Sequence, residues 1–108
     1  MARKEFDILK TISYAGTMNV LFAITNGKNK FTDIMFETEL NPGILNRLLK
    51  SLLVAKMIDK DVNGYHMTDK GAKIVMFALQ IMDIDGESES HKAIKELLSN
   101  KLKHAVKA

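Results

Sequence analysis

The 108-residue sequence contains no cysteine and no tryptophan, and it has a single proline. Without cysteine there can be no disulfide bonds, thiolate metal sites or cysteine nucleophiles, so the fold must depend on packing. Long apolar runs are also missing: the longest, residues 74–84, is interrupted by Gln80 and Asp83 and is too short to cross a bilayer. The first residues do not resemble a secretory signal. We therefore expect a cytoplasmic protein that does not associate with membranes.

Neither a strong charge of one sign nor a catalytic arrangement is visible. Sixteen Lys and Arg residues against thirteen Asp and Glu give a net charge of +3, which permits an anionic partner without requiring one. The three histidines, at 66, 91 and 104, fall in separate predicted elements, and no glycine-rich phosphate loop is present. We expect no enzyme activity, no metal site and no cofactor, and a single domain spanning residues 1–108.

The N-terminal part of the sequence predicts three short helices, because apolar residues recur there at helical spacing. They span residues 4–14, 17–25 and 33–39. Thr17 is placed to cap the second helix, and Thr32, followed by Asp33, is placed to cap the third. Asn26-Gly27 provides a left-handed stop between them.

The clearest helical pattern begins at Asn41-Pro42. Asn41 can cap this helix, and Pro42 suits its first position, where the missing N–H is no loss. Apolar residues then recur at three- and four-residue intervals: Ile44, Leu45, Leu48, Leu49 and Leu52. This spacing predicts an amphipathic helix over about residues 42–55.

Residues 57–68 change to a strand pattern around Asn63-Gly64. This dipeptide is typical of a two-residue type I′ hairpin turn, because both residues tolerate positive φ. Such a turn pairs Val62 with Tyr65, Asp61 with His66, and Lys60 with Met67. The hairpin would then have one apolar face and one polar face, with His66 as a partner of Asp61 across the strands.

Two further helices are predicted after the hairpin, at residues 69–84 and about 90–106. Thr68 can cap the first, and Asp69 suits the positive end of its dipole. Nine of the eleven residues 74–84 are apolar, so this helix needs cover on more than one side. A second copy of the chain is the simplest cover, which predicts a homodimer through helices 69–84 and 90–106. The alternative is that the last helix folds back on its own subunit.

The order of these elements resembles a winged helix-turn-helix domain. Residues 65–71, Tyr-His-Met-Thr-Asp-Lys-Gly, are similar to the Y-x-L-T-x-K-G ending of the wing in many prokaryotic winged-helix regulators. Phe31-Thr32-Asp33-Ile34, Leu40-Asn41-Pro42 and the leucine-rich helix that follows resemble HxlR-type regulators, and more loosely MarR- and ArsR-type regulators. Lys56 stands where these families often have glycine. The resemblance implies a mainly α fold with a small β-hairpin, a core at about 15–84, and extra helices at both ends.

The resemblance also implies that helix 42–55 enters the major groove of DNA as the recognition helix, with a short wing at residues 57–68. Opposite the leucines of this helix lies a stripe of residues suited to DNA: Gly43, Asn46, Arg47 and Lys50. Arginine can bind guanine, asparagine can bind adenine, and lysine can neutralise phosphate. Further candidates for phosphate or wing contacts surround the stripe: Lys30, Thr32, Lys60 and Asn63, and less centrally Lys70 and Lys73.

Together these features predict sequence-specific binding of double-stranded DNA by a homodimeric transcriptional regulator. A two-fold dimer would present two recognition helices about 34 Å apart and would bind a pseudo-palindrome. The alternative is a winged-helix protein–protein interaction module without specific DNA binding, because polar residues opposite a leucine stripe occur on any surface helix. For Lys60 and Asn63, a solvated hairpin without DNA contact is a further alternative, since Asp59 and Asp61 would repel phosphates there.

Overall fold

A computed structural model describes the backbone of residues 2–107 and the side chains of residues 8–103. The predicted apolar faces of the first and last helices therefore lie partly outside the described side chains. In chain order the elements are α1 (Ala2–Ser13), α2 (Thr17–Thr25), α3 (Phe31–Thr38), α4 (Pro42–Val54), β1 (Ile58–Asp61), β2 (Gly64–Met67), α5 (Asp69–Met82) and α6 (Glu89–Lys107). The predicted fold class, mainly α with a small β-hairpin and extra helices at both ends, is confirmed.

Two of the predicted helix caps are confirmed by hydrogen bonds. The Asn41 side chain accepts a hydrogen bond from the backbone N–H of Ile44 at 2.9 Å, and Pro42 is the first residue of α4. The Thr68 hydroxyl accepts a hydrogen bond from the N–H of Gly71 at 3.0 Å. Both bonds satisfy donors that the first turn of a helix leaves free, so these two residues fix where α4 and α5 begin.

The other two predicted caps are wrong. Gly16, with a φ of +90°, precedes α2, and Thr17 is already inside the helix with a fully buried hydroxyl that has no hydrogen-bond partner among the described residues. α3 begins at Phe31 because the carbonyl of Lys30 accepts the first helical bond, from Ile34 N–H at 3.0 Å. Thr32 therefore lies within the first turn of α3. Thr17 is buried and Phe31 packs against the core, so each becomes the first residue of its helix. The caps are therefore the residues before them, Gly16 and Lys30.

The hairpin forms where it was predicted, but its turn lies one residue earlier, so each cross-strand partner is two positions away from the predicted one. Ile58 is opposite Met67, Asp59 opposite His66, Lys60 opposite Tyr65, and Asp61 opposite Gly64. The turn is thus Val62-Asn63, and the positive φ of +117° falls on Gly64. One reason is local, because the Asp61 carboxylate accepts the Asn63 N–H at 2.8 Å. The predicted faces survive, because the partners change by two positions and alternate residues of a strand share a face.

The core is formed by α2, α4, α5, α6 and the hairpin together. Its largest fully buried hydrophobic side chains come from all five: Val20, Leu21, Leu45, Leu49, Leu52, Ile58, Val75, Leu79 and Leu98, with Ile34 from α3 and Met57 from the connection before β1. α6 packs against α5 and α2 of its own chain and buries Ile94 and Leu98 there. The last helix therefore folds back on its own subunit, as in the alternative arrangement, but Leu97 remains exposed and the homodimer stays a prediction. Within residues 2–107, no helix combines the length and apolar character needed to cross a membrane.

The connection between α5 and α6 is fixed by a cluster of charged side chains. The Asp83 carboxylate, only 6% exposed, contacts His91 Nδ1 at 2.5 Å and Lys95 Nζ at 2.9 Å. Lys95 also pairs with Glu87. Hydrogen bonding from His91, and then from Lys95, lowers the pKa of Asp83 below its ordinary value. The cluster thus holds the start of α6 against the end of α5.

Candidate nucleic-acid interface

The helices α3 and α4 are joined by a tight turn at residues 39–41. Glu39 ends α3 in the left-handed conformation, with a φ of +59°, and its N–H bonds to the Met35 carbonyl at 2.8 Å. Leu40, in the middle of the turn, packs over Gly16, where an added Cβ would lie 3.1 Å from a Leu40 methyl carbon. The same Cβ would lie 3.6 Å from Leu48 of α4. Contact at Gly16 therefore sets the position of the turn and of α4 relative to α2.

The recognition helix predicted at residues 42–55 corresponds to α4, which separates sharply into two faces. Its buried face consists of Leu45, Leu48, Leu49 and Leu52. The opposite face exposes the four predicted residues Gly43, Asn46, Arg47 and Lys50. The side chains of Asn46, Arg47 and Lys50 have no hydrogen-bond or ion-pair partner among the described residues. These four residues, the α4 stripe, are available to an external ligand.

Ile44 does not join the buried leucines, although its spacing suggested that it would. Its side chain is 38% exposed and lies at the edge of the α4 stripe. The four leucines at 45, 48, 49 and 52 already complete an apolar stripe, and Ile44 is about 100° away from Leu45 around the helix. This angular offset is the signal that could have placed Ile44 beside the polar residues.

A second group of predicted residues gathers around the hairpin tip. Lys30 Nζ donates to the Val62 carbonyl at 3.3 Å, which brings the residue before α3 next to the turn containing Asn63. Lys60 Nζ lies 5.1 Å from the centre of the Tyr65 ring, a cation–π distance. Thr32 is exposed on the first turn of α3. Within the described part of the chain, no hydrogen bond or ion pair joins this group to the α4 stripe.

The hairpin is attached to the rest of the fold through Asn29, a residue that sequence reasoning missed. Tyr65 N–H donates to the Asn29 carbonyl at 2.8 Å, and Asn29 Nδ2 donates to the Tyr65 carbonyl at 2.6 Å. Gly64 allows this approach, because a Cβ there would be 2.3 Å from the Asn29 oxygen. Residues 28–31, which lie between two predicted helices, are too short for a helix of their own and give only a weak signal for such pairing. Asn29 thus fixes where the hairpin lies relative to α3.

The hairpin also carries negative charge close to its candidate phosphate-binding residues. The Asn63 N–H, together with His66, whose Nε2 lies 2.9 Å from Asp61 Oδ1, lowers the pKa of the Asp61 carboxyl. The predicted contact between His66 and Asp61 is present, although Asp59 is the residue opposite His66. Asp59 is exposed, so Lys60 lies between two carboxylates along the strand. This arrangement makes the hairpin a weaker anion-binding element than the α4 stripe.

Comparison with known proteins gives one family. Residues 12–84 match the model of a family described as "winged helix-turn-helix". The matched segment covers about two thirds of the chain, includes the α4 stripe and the hairpin, and ends before α6. A search of curated proteins found no match.

Proposed function

Because this chain belongs to the winged helix-turn-helix family, we propose that it binds specific sequences of double-stranded DNA as a homodimeric transcriptional regulator. The observation that carries the proposal is the α4 stripe, which is exposed and lacks intramolecular partners on the second helix of the helix-turn-helix. That helix enters the major groove in this class of domain. The proposed activity is binding rather than catalysis.

Each member of the α4 stripe has a chemical role in the proposal. Arg47 can donate two hydrogen bonds to guanine, Asn46 can pair with adenine, and Lys50 can neutralise a phosphate. Ile44, at the edge of the stripe, suits the methyl group of thymine. A Cβ on Gly43 would meet only the Asn41 side chain, at 3.5 Å, so the fold itself has room for a larger residue there. Glycine at this position therefore suits close approach of the DNA backbone.

The hairpin group has a supporting role in the proposal. Lys30, Thr32, Lys60 and Asn63 would contact the DNA backbone beside the groove, as the wing of such domains does. The carboxylates of Asp59 and Asp61 limit what the wing contributes. A single subunit with a net charge of +3 gains little from counterion release, so binding through two half-sites supplies the affinity.

The proposed dimer uses the outer face of α5. Phe77, Ile81 and Ile84, at the end of α5 and just after it, are 65%, 68% and 79% exposed. Their spacing of four and three residues places them on one side of the helix, where an isologous contact with a second copy would cover them. Leu97 of α6 is also 45% exposed, whereas Ile94 and Leu98 are already used within the subunit. Helices α5 and α6 thus remain the proposed interface, with α5 supplying most of it.

Light scattering tests the dimer directly. Ile81→Asp should convert a dimer to a monomer at micromolar concentration, while Gln80→Asp, at the exposed neighbouring position, should leave the dimer intact. A wild-type protein that is monomeric at that concentration would contradict the two-half-site argument.

The remaining finer points of the proposal rest on the sequence resemblance. Residues 65–71 resemble the wing ending of many prokaryotic winged-helix regulators, and the α3–α4 segment resembles HxlR-type regulators. These resemblances would make this a prokaryotic protein acting in the cytoplasm. No thiol switch is available to it, because the sequence has no cysteine.

Charge reversal on α4 tests the DNA-binding proposal. Arg47→Glu combined with Lys50→Glu should abolish duplex binding, because both residues would then repel the DNA. Lys92→Glu with Lys103→Glu, on α6, changes the net charge equally and serves as the control. Fluorescence anisotropy at several salt concentrations should show salt-dependent duplex binding by the control variant and no duplex binding by the α4 variant. Unchanged binding by the α4 variant, with its dimer intact, would contradict the proposal.

A second candidate function is a protein–protein interaction module. The exposed apolar face of α5 favours it, because this face can take a different protein as readily as a second copy. That reading predicts no preference among duplex sequences and equal, weak DNA binding by the α4 variant and its control.

A further inference from the structure

A groove of about 710 Å³ lies between α1, the end of α4 and the start of α5. One part of its lining is apolar or aromatic and includes Ile8, Tyr14, Val54 and Ala55. The other part contains four lysines: Lys10, Lys50, Lys56 and Lys70. No acidic residue lines the groove within the side chains that the structure describes. The volume is in the range of small-molecule sites in proteins.

The four lysines of the groove differ from three lysines of α6 in the partners that they have. On α6, Lys92, Lys95 and Lys101 each form an ion pair with a carboxylate. None of the groove lysines pairs with a described carboxylate, and Lys70 Nζ donates to the Ala55 carbonyl at 2.9 Å instead. Lysines without a described carboxylate partner around one hollow make it electrostatically complementary to an anion.

Lys56 provides an independent observation, because its backbone is strained. It has a φ of +60°, and the bonds from Lys56 N–H to Leu53 and from Met57 N–H to Leu52, each 3.0 Å, form a Schellman motif. In the equivalent motif after α2, the left-handed position is taken by Gly27. Glycine adopts this conformation without strain and lysine does not. The side chain of this strained residue lines the groove.

The apolar part of the groove is open to solvent. The Val54 side chain is 84% exposed and Tyr14 is 46% exposed, beside the lysines. A purely inorganic anion would leave these surfaces uncovered. We propose that the groove binds an organic anion with an apolar body, such as a medium-chain carboxylate, with the carboxylate held by the lysines and the chain lying on Val54, Tyr14 and Ile8.

Such a ligand would oppose DNA binding, because Lys50 belongs both to the groove and to the α4 stripe. A carboxylate held by Lys50 would remove a positive charge from the surface that faces phosphate. This coupling rests on the proposed DNA-binding function, whereas binding in the groove does not.

Isothermal titration calorimetry with decanoate tests the groove. The wild-type protein should bind decanoate saturably, and should bind neither decylammonium nor inorganic phosphate comparably. Lys56→Gln and Val54→Ser should each weaken decanoate binding about five-fold, as expected for loss of one partly exposed charge or apolar contact. Lys92→Gln on α6 is the matched control and should bind like the wild type. Lys56→Gly should also bind weakly, but with a raised melting temperature, because the backbone strain is relieved.

Three results would overturn the proposal: no decanoate binding by the wild type, equal binding of decylammonium, or wild-type affinity in both Lys56→Gln and Val54→Ser. The coupling is tested by anisotropy with a bound duplex. Decanoate should release duplex from the wild type at concentrations that leave Lys56→Gln bound, and equal release from both proteins would overturn the coupling. If the wild type binds no duplex, the proposed function fails, and the calorimetry still decides whether the groove binds an anion.

Discussion

Replacing Gly64 with alanine should detach the hairpin from the loop that precedes α3. The new Cβ would lie 2.3 Å from the Asn29 carbonyl oxygen and 2.8 Å from its carbon. These are backbone atoms, so the clash cannot be relieved by rotating a side chain. The hairpin must move away by about 1 Å to reach an ordinary contact distance. That movement would break the two hydrogen bonds between Asn29 and Tyr65, which measure 2.8 and 2.6 Å.

The cost can be worked out from these contacts. Two hydrogen bonds contribute about 1–3 kcal/mol to stability, at about 0.5–1.5 kcal/mol each. Holding alanine at the positive φ of Gly64, +117°, adds about 1–2 kcal/mol. Gly64→Ala should therefore lower the free energy of unfolding by about 2–5 kcal/mol. In a domain of this size, each kcal/mol corresponds to a fall of about 4–8 °C in melting temperature.

Gly27→Ala is the matched control. Gly27 also has a positive φ, +93°, but a Cβ there would meet nothing within 4 Å. This variant should lose only the backbone part, about 1–2 kcal/mol. Urea unfolding followed by circular dichroism measures both variants against the wild type. Equal losses for the two variants would refute the inference that Asn29 holds the hairpin.

Three further predictions concern single side chains. The lowered pKa of Asp83 means that its carboxylate stabilises the fold above pH 3.8, its ordinary pKa, and that this contribution is lost as the pH falls through the lowered pKa. With Asp83→Asn, the free energy of unfolding should therefore fall less on acidification than with the control variant Asp85→Asn. Unfolding measured between neutral and acidic pH checks it, and parallel profiles would contradict it. Asn41→Ala should lower the free energy of unfolding in urea by about 1 kcal/mol through loss of the α4 cap, and no loss would mean that the cap does not stabilise α4. Asp59→Asn should strengthen duplex binding two- to three-fold, or about 0.5 kcal/mol for one exposed charge, and unchanged binding by anisotropy would place the wing away from DNA.

Features set by neighbouring residues could be predicted from the sequence. Asn41 and Thr68 cap the helices that their positions indicated, because a cap needs only a few consecutive residues. The faces of the hairpin were also predictable, since alternation along a strand depends on the strand alone.

Features set by distant contacts could not be predicted. The hairpin turn moved to Val62-Asn63, and Gly64 lies against Asn29, 35 positions away in sequence. Thr17 became a buried helical residue because the core closes over it, which no local pattern reveals. Likewise, the fold-back of α6 depends on how Ile94 and Leu98 pack against other helices.

One part of the candidate site could be predicted from the sequence and another part could not. The α4 stripe follows from the leucine spacing of one helix and was predictable. The groove beside it was not, because its lining comes from α1, α4 and α5 together. In the sequence, Lys56 was notable only because it stands where the families that this chain resembles often have glycine. Its positive φ and its place in the groove wall required the structure.

Selection of bound sequences from a pool of random DNA duplexes tests the central claim most directly. The wild-type protein should enrich a pseudo-palindrome whose half-sites lie about 34 Å, or one helical turn, apart. Arg47→Gln, run in parallel, should lose the preference for guanine at one position of each half-site while keeping the rest of the sequence. Enrichment of no sequence by the wild type, or of an identical sequence by the variant, would contradict the claim that α4 reads DNA.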